Sequence, residues 1–447
     1  MSIHPIETRY GKKRMKDIFT EEHKLNLMLK VEASIVKAHA TLGSAPKSVI
    51  GDIEKKASTK YVSLKRVQEI ESEINHDVMA MVKALTEVCE AETQKYIHLG
   101  ATSADITDTA LSLQLKDATD IIIKDLSELL DSLLNLASKY KSLVCIGRTH
   151  GQHAIPMTFG MKFALWASEI ERHITRLQEC KKRSSVGKLT GAVGTMAALG
   201  DNAFEFQNYV MKELEISSVL ISNQVIPRDI HTELVMHLAL IAETLNKIGI
   251  ILRTLQRPEI NEVHEYYDAK KQVGSSTMPH KRNPIHLERV CGLSRIIKSN
   301  AFAMVDNIAL WDERDLTNSS PERIIFAECF ILCDYILSLM IETLSKIEVN
   351  EDQIKKNIML SGGLVFSESV MVLLVKKGMG RQEAHELLRN LSIKSFEEKI
   401  EFREIITSEK RIRDYLTVEE IENIFNPKNY IGKSKEIIEA VIKELCQ

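Results

Sequence analysis

The residues richest in chemical potential lie in one run, Gly274-Ser275-Ser276-Thr277-Met278-Pro279-His280-Lys281-Arg282-Asn283-Pro284. It gathers hydroxyls, an imidazole, two cations and an amide, with no acidic residue among them. Gly274, Pro279 and Pro284 argue against continuous helix, so the spacing predicts a loop able to move. Its side chains suit the gripping of an anion beside a proton-transfer group; the competing reading is a solvated surface loop.

Three further polar breaks offer partners. Gly147 to Pro156 reads as a second dense polar loop carrying Arg148, Thr149, His150, Gln152 and His153. His150 and His153 are spaced as metal ligands can be, but no third ligand with suitable spacing follows. Gly100 to Asp108 contains Thr102, Ser103 and Asp105, good residues for starting a helix whose free N–H groups can meet an anion. Ile74-Asn75-His76-Asp77 interrupts an apolar helical pattern. Together the breaks supply imidazoles, several hydroxyls and a Lys–Asn pair for an oxyanion. That is equipment for removing a proton next to a carboxylate while protonating a leaving group. No Walker loop, GxGxxG or metal-ligand cluster points to a cofactor.

Long helices must position these breaks. Leu25, Met28, Leu29, Glu32, Ile35 and Val36 keep helical spacing, and Gly43 to Pro46 ends that helix. From about Thr102 a long helix is expected, striped by Ile122, Leu126, Leu129, Leu133 and Leu136. Others are expected from Phe159 to about Arg183 and from Glu322 to about Ile347, with a flexible glycine-rich stretch at 187–200. From Glu233 to Leu255 apolar residues lie nearly all round, which predicts burial on every side, at the centre of a large bundle or a subunit interface. After Val349 the helices become shorter and more charged. The fold class is therefore all-α, with three helical domains, 1–99, 100–349 and 350–447, and a central long-helix bundle forming a multi-subunit core.

Composition agrees with a folded helical protein and narrows the partners. With 447 residues the chain exceeds one ordinary core, and its scarce Gly and Pro lean toward helix. A net charge of -3 makes no case for nucleic acid. No signal peptide is visible and no run is read as a bilayer span, so the expected location is cytoplasmic. The seven cysteines form no CxxC pair and are expected as free thiols. At the start, Arg9, Lys12, Lys13, Arg14 and Lys16 form either a solvated face or a phosphate contact.

The run from Gly274 to Pro284 resembles the signature loop of the fumarase/aspartase superfamily. Arg148 to Ala154, Thr102 to Thr109 and Glu313 to Arg323 are similar to the adenylosuccinate lyase family within it, and the resemblance extends over effectively the whole chain. It implies β-elimination of fumarate from adenylosuccinate, giving AMP, and from SAICAR, giving AICAR, in purine nucleotide biosynthesis. It also implies no cofactor or metal, and a homotetramer with sites shared between subunits. By position, Ser275 matches the general base, His150 the general acid and His76 its helper. Lys281 and Asn283 match the carboxylate clamp, Thr102 and Ser103 the succinyl contacts, and Asp77 and Gln224 further substrate contacts. Arg9 and Tyr10 match the phosphate-binding pair, with Arg314, Ser319 and Arg323 as other nucleotide contacts; Lys12, Lys13, Arg14 and Lys16 remain a solvated face. Asn75, Ile155, Met157 and Pro227 depart from residues common in the family. The alternatives are a related lyase acting on argininosuccinate or a carboxymuconate, against which the phosphate-type residues argue, and a non-catalytic helical protein on the same fold.

Overall fold

The computed structural model describes residues 4–267, 277–278 and 280–446. Local chemistry sets where its helices start and stop. In α1 (Glu21–Thr41) the Thr20 hydroxyl accepts the His23 N–H at 3.2 Å. Between α2 (Leu64–Ile74) and α3 (Asp77–Val88), Asn75 closes one helix and His76 opens the next. Asn75 is left-handed (φ 52°), a conformation amide side chains tolerate better than most, which gives a local reason for Asn at this position. His76 accepts the Met79 N–H on Nδ1 at 3.2 Å.

The chain continues through α4 (Ser103–Lys139), β1 (Val144–Thr149), β2 (Gln152–Thr158) and α5 (Gly160–Ser184). Then come β3 (Val186–Gly187), β4 (Ser217–Ser218), α6 (Arg228–Leu255), β5 (Val263–His264), α7 (Ile285–Asp306), α8 (Ser319–Ser345) and β6 (Glu348–Val349). Shorter helices follow, from Glu351–Met359 to Ser434–Leu445. The strands form two-stranded pairs, β1 with β2 and β5 with β6 antiparallel, β3 with β4 parallel. They trim a fold whose class is all-α, as expected.

Packing divides the chain into two compact units. The first comprises the chain up to Ser127, Arg172–Asn246 and Val290–Ser338. Its core includes Leu29, Ile35, Met81, Leu85, Ile106 and Val210. Polar contacts stitch its long helices into a bundle: Thr232 Oγ1 of α6 donates to Met304 O of α7 at 3.1 Å, and Asn300 of α7 donates to Glu328 of α8 at 2.8 Å. His173 of α5 bonds Thr244 of α6 at 2.8 Å. The second unit comprises Glu128–Glu171, Lys247–Arg289 and the chain from Leu339 on. Its core joins Val144 and Ile146 of β1 to Phe366, Leu374, Phe402 and Ile421.

Five expectations change. The Gly147–Pro156 segment is not an irregular loop but the greater part of the β1–β2 hairpin. Arg14 is not on a solvated face: its Nη2 meets Asp125 at 2.6 Å and Asp334 at 2.5 Å, both fully buried, because two desolvated carboxylates need a cation. Burial, followed by the neighbouring Asp334, pushes the Asp125 carboxyl well above the usual carboxylate range. The 187–200 stretch, expected to be flexible, has buried residues at Lys188, Leu189 and Thr190. Helix α6 is not covered on every side in the single chain, since Met236, Leu240 and Ile250 are exposed. Finally, α6 and α8 are each long and apolar enough to cross a membrane by length and composition, contrary to the reading that no run is; 50% and 67% of their apolar windows are buried inside the chain.

Candidate active site

In the first unit the start of α4 is the organising feature. Thr102 precedes the helix, and Asp105, in its first turn, accepts the Thr102 N–H at 2.9 Å. One turn on, Asp108 accepts the Ile226 N–H at 2.8 Å and two guanidinium hydrogen bonds from Arg228 at 2.8 and 2.9 Å. Arg228 also donates from Nε to Glu322 at 2.9 Å, and Glu322 accepts from Asn318 at 3.0 Å. These buried acids fix the segments on which candidate contacts sit: Thr102 and Ser103, Gln224, and the first turn of α8 with Ser319 and Arg323. For Asp108, burial would raise the carboxyl pKa, but Arg228 and the Ile226 N–H prevail and hold it below its usual range. Glu322 goes the other way: burial outweighs Arg228, and its carboxyl is raised.

Two pairs among the expected residues meet directly. Arg314 Nη1 donates to Gln224 Oε1 at 3.0 Å, and Arg323 Nη2 lies 2.9 Å from Asp77 Oδ2. A cavity of about 370 Å³ opens among Ser222, Asn223, Val225, Arg228, Leu310 and Glu313, on the segments that carry Gln224 and Arg314. His76 is exposed, 3.9 Å from Asp77 through Nδ1. Because Nδ1 also accepts the Met79 N–H, the ring proton sits on Nε2 in this arrangement.

Arg9 and Tyr10 are placed elsewhere. The Arg9 guanidinium lies 5.9 Å from the Tyr10 ring, which packs 5.7 Å from Tyr335 of α8. Gly11 lets this turn lie flat on α8, since a Cβ there would come within 2.2 Å of Ile331. Ile331 is twelve residues from Ser319, roughly 18 Å along the helix at about 1.5 Å per residue. The Arg9–Tyr10 turn thus packs near the middle of α8, while Ser319 and Arg323 stand in its first turns.

In the second unit, His150 and Gly151 form the two-residue turn of the hairpin, with Thr149 opposite Gln152. Both have positive φ (52° and 75°), the geometry that suits the twist of a tight hairpin. His150 is thus held out, exposed, at the tip of a stiff ribbon. Arg148 anchors the ribbon through Glu262 at 2.6 Å, and Glu262, fully buried, also accepts from Asn357 at 2.9 Å. His153 lies opposite Arg148; burial first, then that cation, lowers its pKa. Lys281 is exposed and Asn283 half-buried at the entry to α7, whose first N–H groups are capped by Glu265 (Leu287 N–H at 2.7 Å). Arg282 stacks 5.2 Å from the Tyr267 ring. Gly274 and Ser275 lie outside the described residues.

Sequence spacing did not reveal Lys188, Arg228, Glu262 or Glu265. Only the Thr102–Asp105 interval, a helix-capping pattern, carried a readable signal. Nor did it reveal that Cys180, Glu233 and His237 approach within 4.8 Å of one another. Arg183 donates from Nε to Glu233 at 2.9 Å, and burial, followed by Glu233, pushes the Cys180 thiol up to about 12. The trio thus gathers around the interhelix Arg183–Glu233 ion pair.

Residues 8–298 match the family model described as lyase, and residues 363–441 match that of the adenylosuccinate lyase C-terminus. The chain is 54% identical over 445 residues to an adenylosuccinate lyase of Methanocaldococcus jannaschii, covering 100% of this chain and 96% of the relative. It is 51% identical to an adenylosuccinate lyase of Pyrococcus abyssi over 99% of this chain and 98% of that one. Among solved structures, a fumarate lyase from Mesorhizobium superposes with a TM-score of 0.90 at 27% identity, covering 99% of this chain and 100% of that one. With the superfamily's fold, an adenylosuccinate-lyase C-terminus and half or more of all residues shared with such relatives end to end, the chain belongs to the adenylosuccinate lyase family of the fumarase/aspartase superfamily.

Proposed function

We propose that this chain eliminates fumarate from adenylosuccinate, giving AMP, and from SAICAR, giving AICAR. Its end-to-end similarity to curated adenylosuccinate lyases carries the reading, and the residues supply the chemistry. A base removes a proton from the succinyl carbon next to a carboxylate, and the electron pair that held it becomes the new double bond as the C–N bond breaks. The proton needed by the departing nitrogen comes from a general acid. Ser275 takes the base role, for which its alkoxide needs hydrogen-bond donors around it. Lys281 and Asn283 hold the carboxylate on which charge grows. His150 is the acid, and its exposed place at a stiff hairpin tip supports delivery of a proton to a ligand rather than to a neighbouring side chain. His76 assists it, with Nε2 as the free donor. Thr102 and Ser103 contact the succinyl carboxylates, Asp77 and Gln224 are further substrate contacts, and Arg9, Tyr10, Arg314, Ser319 and Arg323 contact the nucleotide. Residues 1–99, 100–349 and 350–447 are the three domains among which these motifs are shared. No metal or cofactor enters the scheme.

Purified protein given adenylosuccinate, with nothing else added, is expected to release fumarate and AMP in equal amounts. Turnover of argininosuccinate without turnover of adenylosuccinate would overturn the assignment.

The catalyst is a cytoplasmic homotetramer whose sites are shared between subunits, with neither nucleic acid nor a membrane as partner. Two observations support this. The Arg9–Tyr10 turn packs near the middle of α8 and Ser319 and Arg323 stand in its first turns, an arrangement that suits a site completed by a second copy. Large apolar side chains also stand exposed on long helices, Leu240 on α6 and Phe302 on α7 among them. Light scattering at assay concentration should give about four times the chain's 50.6 kDa; a monomer that turns over substrate would contradict it.

A further inference from the structure

We propose that the buried Lys188–Asp105 ion pair is a positioning device, holding the Thr102–Ser103 turn in register with the 190–192 segment so that the succinyl carboxylate meets a preformed cradle. The inference rests on the reading of Thr102 and Ser103 as carboxylate contacts.

Both side chains of the pair are fully buried, and the Lys188 ammonium contacts Asp105 Oδ1. The same carboxylate accepts three backbone donors from two distant stretches. Its Oδ2 takes the Thr102 N–H at 2.9 Å. Its Oδ1 takes the Thr190 N–H at 3.0 Å, and the Gly191 N–H reaches Oδ2 at 3.2 Å. Lys188 is itself clamped to α4 through its backbone: its N–H donates to Thr109 Oγ1, whose hydroxyl donates back to the Lys188 carbonyl, each at 3.1 Å.

From the far side of that segment the linkage continues to another candidate contact. Thr190 Oγ1 bonds the Ser222 hydroxyl at 2.8 Å, and Gln224 Nε2 donates to the Ala192 carbonyl at 3.0 Å. One carboxylate thus ties Thr102 to the strand of chain that holds Gln224. Thr102 and Ser103 remain half-exposed in front of it, where a ligand can reach them.

A stability role alone explains this poorly. Burying an ammonium and a carboxylate costs as much as or more than their attraction returns, and apolar residues of similar volume hold a core at least as well. What apolar residues cannot do is accept directed hydrogen bonds from three N–H groups at once. The pair therefore fixes geometry, and displacement of a contact by about 1 Å is enough to cost about 100-fold in rate.

The test compares Asp105→Asn and Lys188→Met with wild type, each measured for kcat and KM on adenylosuccinate, inhibition by AMP, and unfolding temperature. We expect kcat/KM for adenylosuccinate to fall by about 100-fold, mostly through KM, with AMP inhibition unchanged because AMP lacks the succinyl carboxylates. Should a single variant not fold, the paired Asp105→Asn/Lys188→Met is measured instead. It leaves no lone buried charge but still lacks the carboxylate, and the same rise in KM is expected. A folded variant with wild-type KM and kcat, or one whose AMP inhibition weakens in parallel with KM, overturns the proposal. Thr102→Ala separates the two layers of argument. If it leaves KM unchanged, the contact reading has failed; if it raises KM while the Asp105 and paired variants do not, the positioning inference has failed.

Discussion

Arg228→Met destabilises the folded chain by about 3–5 kcal/mol, the usual cost of stranding buried charge. Arg228 is 4% exposed and shared between Asp108 and Glu322, which are 5% and 9% exposed. Methionine fills the volume of the stem but leaves two desolvated carboxylates facing each other with only the Ile226 N–H and the Asn318 amide to satisfy them. Urea unfolding at fixed protein concentration reads the loss as a lowered midpoint, and a loss under about 1 kcal/mol would mean water reaches the cluster and screens it. Adding Glu322→Gln should recover part of the stability, because one of the stranded charges is gone.

The pH dependence of the same cluster has a definite sign. His231, fully buried beside it, has its imidazole pushed down to about 3, by burial first and by Arg228 second. An ordinary unfolded imidazole titrates near 6.5, so on acidification the unfolded chain takes up the proton first. Stability from keeping His231 neutral is therefore complete above about 6.5 and declines as pH falls toward 3. Removing Arg228 removes the second cause, so the variant's total loss across that range should be smaller than wild type's even though it starts from lower stability.

Helix ends and polar breaks were the readable part of this chain because both are local. Thr20 and Thr102 announce helix termini within a few residues of themselves, and each lies where a terminus is found; Asn75–His76, read only as a break within one helical stretch, closes one helix and opens the next. The hairpin around His150 was misread because its polar tip outweighed the short alternation of Val144 and Ile146, and because a positive φ at histidine has no strong sequence mark. Ion pairs were illegible for a different reason. Arg14 meets Asp125 and Asp334, separated from it by 111 and 320 positions, and Lys188 meets Asp105 across 83. A cation with a buried partner and a cation in water have the same letter, so only the tertiary fold distinguishes them.

Ser275→Ala should lower kcat by about 10³–10⁴-fold, the size expected when a proton-abstracting group is removed, with adenylosuccinate still bound through its phosphate and clamp residues. His150→Gln should also lower kcat, by about 10²–10⁴-fold, and the two losses differ in kind. Proton removal from carbon and protonation of nitrogen act on opposite sides of the bond that breaks, so substrates can be made to favour one step or the other. Deuterium on the succinyl carbon that loses its proton should slow the Ser275 variant more than wild type, because carbon deprotonation then limits the rate. A substrate whose leaving nitrogen needs no proton should rescue the His150 variant and not the Ser275 one. If instead Ser275→Ala turns over near the wild-type rate, another group is the base and the signature loop keeps only its carboxylate clamp, Lys281 and Asn283. The double variant should lose less than the product of the single losses, since a base without its acid, or an acid without its base, has little left to assist.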